Sequence, residues 1–126
     1  MPSLKEPLNL GDLLKYEEER FRYSREQATV AAGQNLELGA VVGLVTASGK
    51  LKRLDPAATD GSQIAVGILL VACDATLIDR DDGLILARHG IVASQAVVWP
   101  AAITPEQQAT ATAALEARGI LIRPSA

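Results

Sequence analysis

The chain has 126 residues, a net charge of −3 and a hydrophobic content of 48%, yet only four aromatic side chains. That length fits one domain with a tail. Apolar runs fall short of the roughly 20 residues a membrane helix needs. The opening Met1-Pro2-Ser3-Leu4-Lys5-Glu6-Pro7 lacks the basic-then-apolar pattern of a secretory leader. A single cysteine excludes an internal disulfide framework and a cysteine-rich zinc site. An acidic pI of about 5.1 argues against binding nucleic acid through phosphate neutralisation.

In chain order, two materials follow one another. Tyr16, Phe21 and Tyr23 lie in the first 27 residues, whereas every alanine and the one tryptophan, Trp99, lie beyond them. Residues 1–27 therefore read as an N-terminal arm. A short helix is expected over roughly 11–20, and one that short is marginal alone. Phe21-Arg22-Tyr23 alternates as a strand does. The arm is either a loose tail or a segment that orders on a partner. In the second case Leu13, Leu14, Tyr16, Phe21, Tyr23 and Arg25 are its candidate binding residues, since large apolar and arginine side chains dominate interface energetics.

Residues 28–126 read as a mainly β body. Strands are expected at 27–30, 40–46, 50–54, 84–88, 91–93, 96–99 and 120–122. Gly33, Gly39, Gly43 and Gly49 punctuate the early ones. The run Ile64–Ala72 is expected to be a strand buried on both faces. Asp55–Ser62 and Asp79–Gly83 are loops by their turn chemistry. One helix is well marked over about 104–118. Thr104 is its N-cap, Pro105 its first residue, Gln107 closes a capping box and Gly119 stops it. Alanine buries little area, so the core is expected to be thin and self-association favoured. Trp99-Pro100, just before the helix, reads as a core element tying helix to sheet, with Pro100 holding Trp99 extended.

Candidate chemistry is sparse. Cys73 ends an apolar run, where an inert buried thiol is expected, and His89 is a lone histidine at a strand end. Asp79, Asp81 and Asp82 lack the spacing and terminal glutamate of a calcium loop. Lys50, Lys52 and Arg53 lack interleaved aromatics for base stacking. No catalytic, metal or cofactor-binding residue is assigned, and neither a membrane nor a nucleic acid is expected as partner.

The order of segments is what becomes recognisable. It runs through Tyr23-Ser24-Arg25-Glu26-Gln27-Ala28-Thr29-Val30, Ala31-Ala32-Gly33 and Val42-Gly43-Leu44-Val45-Thr46. It continues with Leu54-Asp55-Pro56-Ala57-Ala58-Thr59-Asp60-Gly61-Ser62, Ala65-Val66-Gly67-Ile68-Leu69, Val97-Val98-Trp99-Pro100, an alanine-rich helix and Gly119-Ile120. Over roughly residues 23–123 this resembles the head decoration proteins of tailed bacteriophages, the group of lambda protein D. The resemblance implies a β-clip-like small barrel with one C-terminal helix and an extended N-terminal arm. It also implies a non-enzymatic cement protein without cofactors, located in the virion on the outer capsid surface. Its partners would be the major capsid protein and two further copies of itself, in homotrimers at threefold and quasi-threefold sites that stabilise the head against internal DNA pressure. The arm would order against the capsid by strand addition, with Phe21 and Tyr23 on one face as anchors. The acidic, leucine-containing stretch before residue 20 is longer than the resemblance implies. The alternatives are another small β-rich virion component, of fibre or tail, and a β-barrel ligand-binding or enzymatic module.

Overall fold

The computed structural model describes residues 9–17 and 23–124. A single helical turn, α1 (Leu10–Leu13), leads into β1 (Leu14–Glu17). Then come β2 (Arg25–Val30), β3 (Gln34–Leu36), β4 (Val41–Leu44), β5 (Leu51–Arg53), β6 (Ala65–Leu69), β7 (Cys73–Ala75), β8 (Arg80–Leu86) and β9 (Gly90–Ala93). A 3-10 turn at Ser94–Ala96, the helix α2 (Pro105–Ala117) and β10 (Ile120–Arg123) complete the chain.

The architecture is mainly β. Five strands close into a barrel in the order β2-β5-β4-β6-β8, with β8 returning antiparallel onto β2. Closure removes exposed strand edges, the usual sites of unwanted pairing. Beside it lie the three-stranded flank β1-β9-β10 and the ribbon β3-β7. In the flank, β1 runs antiparallel to β9 and β10 runs parallel to it. Two apolar clusters fill the interior. One is built from Val30, Val42, Leu51, Leu69 and Ile85 inside the barrel. The other joins barrel, flank and helix through Leu13, Ile68, Leu86, Val92, Leu115 and Ile120. Trp99 is half-buried and packs on that second cluster.

Helix α2 forms where its end signals put it. The Thr104 hydroxyl accepts from the Gln107 amide at 3.1 Å, and the Gln107 side chain accepts from the Thr104 amide at 3.0 Å. These two bonds satisfy amides that a helix start leaves unpaired. Gly119 follows with φ of +78°, a conformation open to glycine and strained for other residues. Ala111 and Leu115 are its buried residues, facing β6 and β10.

Several expectations are corrected. Of the expected loop Asp79–Gly83, Arg80, Asp81, Asp82 and Gly83 are part of β8, because that segment pairs with β2 across the barrel wall, Arg80 opposite Val30 and Gly83 opposite Ala28. A Cβ on Gly83 would lie 2.6 Å from the Ala28 carbonyl oxygen, so a close approach, not a turn, explains that glycine. The run Ile64–Ala72 is strand only over 65–69, and Ile64 at its start and Val71 near its end are 55% and 51% exposed. Residues 96–99 form no strand and meet the sheet by one isolated bridge, Ala40 to Val98. The expected helix at 11–20 is α1 over 10–13, and the next residues are β1. Strands β3 and β7 had no local signal. They pair across 37 residues of chain or more, as Gln34 with Ala75 and Leu36 with Cys73.

The expected boundary after residue 27 is also redrawn. Strand β2 begins at Arg25 as a stave of the barrel, and α1 and β1 pack on the body. Leu13 is fully buried in the second cluster and Leu14 packs against it. Leu13 was a candidate partner anchor; its apolar surface is instead covered by this chain.

Candidate functional site

Three of the six candidate arm residues, Tyr16, Tyr23 and Arg25, meet at one corner of the molecule. There β1, the turn entering β2, the turn from β8 to β9 and the junction of α2 with β10 meet. Each is short, and side-chain bonds tie them together.

Tyr23 and Ser24 form the turn before β2. Ser24 is fully buried; its hydroxyl donates to the His89 carbonyl at 2.9 Å, and its own carbonyl accepts from the Ala87 amide at 2.8 Å. His89 has a φ of +51°, uncommon for a side chain with a Cβ. Its amide donates to the Arg118 carbonyl at 3.2 Å, which fixes the turn against the end of α2. Gly119 lies directly under the imidazole, where a Cβ would come within 2.5 Å of His89 Cδ2. The strained turn thus projects the only histidine outward at the surface.

The aromatic rings stack around this turn. The Tyr23 and His89 ring centres are 5.1 Å apart with planes inclined by 60°. The Arg88 guanidinium lies 5.3 Å from the Tyr23 ring centre, within range of a cation–π contact. Arg88 also donates to the Tyr23 carbonyl and, at 2.9 Å, to Glu26 Oε1. Beside them, Tyr16, His89, Gly90, Ile91, Gly119 and Leu121 line a shallow hollow of about 310 Å³. Tyr16 is 54% exposed and Tyr23 46%.

Arg25 links the two N-terminal strands. It donates from Nε to Glu17 Oε2 at 2.7 Å and from Nη2 to Glu17 Oε1 at 2.6 Å, a two-pronged pair. The hydrogen bonds that Arg25 donates to the Glu17 carboxylate hold the Arg25 pKa above its ordinary value, against a smaller opposing effect of burial. Glu17 ends β1 and Arg25 begins β2, so this pair staples the flank to the barrel. The sequence singles out Arg25 and Tyr23 but gives no sign of Glu17 as the partner of Arg25, or of Arg88 and His89 as neighbours of Tyr23. Glu17 and Arg25 are eight positions apart, and that separation carries no helix or hairpin register.

Of the six candidate arm residues, the structure brings Tyr16, Tyr23 and Arg25 to this corner. Leu13 is in the core, Leu14 supports it from the core side, and Phe21 lies outside the described residues. Among the described residues no cluster of three or more histidine, cysteine or acidic groups is arranged to hold a metal. Cys73 is buried and its thiol pKa is raised chiefly by desolvation, which disfavours the reactive thiolate. What the corner offers chemically is contact area: two rigid, half-exposed phenols, a cation held over one of them, and strand β1 at the side of a sheet.

Fold and corner together define a small β-barrel protein with two half-exposed tyrosines at one corner. Comparison with known proteins gives the family: residues 3–120 match the model for bacteriophage lambda head decoration protein D. The chain belongs to that family and is a phage head decoration protein, a structural component of the virion capsid. No curated protein matches it significantly.

Proposed function

We propose that this protein is a non-enzymatic cement protein. It binds the outer surface of the expanded phage head as a homotrimer at threefold and quasi-threefold sites, and stabilises the shell against the pressure of packaged DNA. Its partner there is the major capsid protein. The observation that carries the reading is the aromatic corner in a chain of this family: Tyr16 and Tyr23 are half-exposed, yet their backbones and neighbours are fixed by Ser24, Arg25, Arg88 and Gly119. Preorganised aromatics bury area on binding at little cost in lost rotamers. Phe21, between Tyr16 and Tyr23 in sequence, is assigned to the same contact. Three such corners on one trimer act together, so each contact can be individually weak.

Strand addition along β1 is the mode best matched to this geometry, because backbone pairing supplies affinity while alternate side chains supply specificity. The test is a titration of undecorated expanded heads with the purified protein, followed by sedimentation and electron microscopy. Saturable occupancy at threefold positions is the expected result. The Y16A/Y23A variant should bind at least tenfold more weakly while keeping its fold. Heads that take up no protein at those positions would overturn the reading.

A further inference from the structure

Charge divides the molecule much as its sheets do. The described lysines and arginines of β2, β5, β8 and the turns beside them each form an ion pair with a carboxylate of this chain. Lys15 on β1, Arg118 just past α2 and Arg123 on β10 form none among the described residues, and all three are exposed. Lys15 Nζ donates to the Gly11 carbonyl at 2.7 Å, and Arg123 Nη1 to the Ile122 carbonyl at 3.0 Å. The flank has no carboxylate to spare. Across β1, β9 and β10 the one acidic side chain is Glu17, and Arg25 holds both of its oxygens. A single solvated cation on a surface is ordinary. Three around one small sheet, in a chain of net charge −3, are a local excess of positive charge.

These cations surround an apolar row. Strand pairing sets Tyr16 opposite Ile91, and Ile91 beside Leu121, one side chain from each strand of the flank. Ile120 and Ile122 pack inward on the core, so Leu121 and Arg123 share the outer face by the alternation of a strand. The row crosses two strand spacings, about 10 Å. With His89 it walls the hollow of about 310 Å³ that also includes Gly90 and Gly119. That volume is at the small end of ligand pockets and suits a side chain. Lys15 precedes Tyr16 on one side of the row, and Arg118 precedes Gly119 at the hollow. Arg123 stands about 7 Å beyond Leu121 along β10.

We propose that the outer face of the flank receives an acidic segment of the capsid protein: one apolar side chain of that segment enters the hollow, and carboxylates on either side of it pair with Lys15, Arg118 and Arg123. The inference rests on the capsid-binding reading above and adds the chemistry of the partner segment. Cations buried without a counter-charge oppose binding, so this face rejects a neutral or basic segment as well as attracting an acidic one. A phosphate backbone fits less well. The row offers aliphatic Ile91 and Leu121 where a base-stacking platform needs aromatic rings, and the chain as a whole repels polyanions.

The test titrates undecorated expanded heads with the full chain over a range of sodium chloride concentrations, with circular dichroism as the check on folding. Wild-type affinity should fall as salt rises. K15E/R118E/R123E should bind about tenfold more weakly or worse. K15Q/R118Q/R123Q should bind a few-fold more weakly with a flatter salt dependence, and it replaces the first variant if charge reversal disturbs the fold. L121S, which spoils the hollow alone, should weaken binding and keep the wild-type salt dependence. If both charge variants bind heads as wild type does while Y16A/Y23A binds weakly, the acidic partner is wrong and the capsid reading stands. Heads that take up no wild type overturn both. Duplex DNA retained by wild type at physiological salt, and released by K15E/R118E/R123E, would assign the face to nucleic acid and overturn the proposal.

Discussion

The closed barrel and the three-stranded flank share an apolar cluster but differ at their edges. Every barrel strand has a neighbour on each side, so its backbone groups are consumed within the chain. In the flank, β9 is central while β1 and β10 each pair on one side only. At β10 the Arg123 guanidinium donates to the carbonyl of Ile122 at 3.0 Å, a charged side chain guarding an edge. The exposed tyrosines gather at the β1 side. The contrast separates a part whose strand edges are all paired from a part that keeps an open edge beside exposed aromatic side chains.

The sharpest way to break this contrast is through the shared cluster. Leu86 in the barrel and Leu13, the last residue of α1 and the lead into the flank, are both fully buried in it. Leu86→Ala should cost about 2–5 kcal/mol. Leu13→Ala should cost a similar amount, again about 2–5 kcal/mol, and both should unfold in one transition in urea. A loss below about 1 kcal/mol for Leu13→Ala would show that the flank detaches on its own, far from the cost of a buried leucine.

Next comes Gly119→Ala at the corner. It combines a positive φ with a Cβ 2.5 Å from His89 Cδ2. A loss of about 1–3 kcal/mol in thermal unfolding is expected, with altered near-ultraviolet dichroism as Tyr23 and His89 shift. An unchanged aromatic signal would mean that the corner is not held by this packing. Thr104→Ala, which removes the helix cap far from the corner, should cost about 1 kcal/mol and leave that signal alone.

Glu17→Gln tests the staple between flank and barrel. Both partners are partly exposed, so the expected stability change is only about 0–1 kcal/mol. Hydrogen exchange is the better readout. Amides of β1 should exchange several-fold faster while barrel amides keep their protection.

The smallest effect is at Asp79, whose folded pKa is lowered by Lys50 and by the Ala32 amide. A lowered folded pKa stabilises above the unfolded value of 3.8 and loses that contribution as pH falls through the folded value. Asp79→Asn should therefore lower the melting temperature slightly at pH 7 and show no difference from wild type in strong acid. A gap that persists at low pH would assign the effect to packing instead of charge.

Much of the fold was legible because it is written locally. The capping box at Thr104 and Gln107, the stop at Gly119 and the loop Asp55–Ser62 each follow from neighbours a few residues apart. The barrel staves β4 and β6 were visible as short apolar runs between turns, and β5 as the strand that follows the turn at Gly49. Strand β8 was not, because Asp81-Asp82-Gly83 has turn chemistry that only pairing with distant β2 overrides. The candidate site was half legible. Tyr16, Tyr23 and Arg25 stood out as large side chains in a polar segment, whereas Arg88 and His89 join them only through the return of β8 and β9.

By itself the sequence determined a small mainly β body, its one long helix, an unusual separation of aromatics from alanines, and its family likeness. These depend on composition and on short-range signals that survive without a fold. Tertiary structure decided which apolar residues of the N-terminal segment stay inside and which face out. Leu13 and Tyr16 are three residues apart in the same charged stretch, yet one is fully buried and the other 54% exposed. The change from α1 to β1 between them and the pairing of β1 with β9 set that difference, and the pairing joins residues more than 70 positions apart.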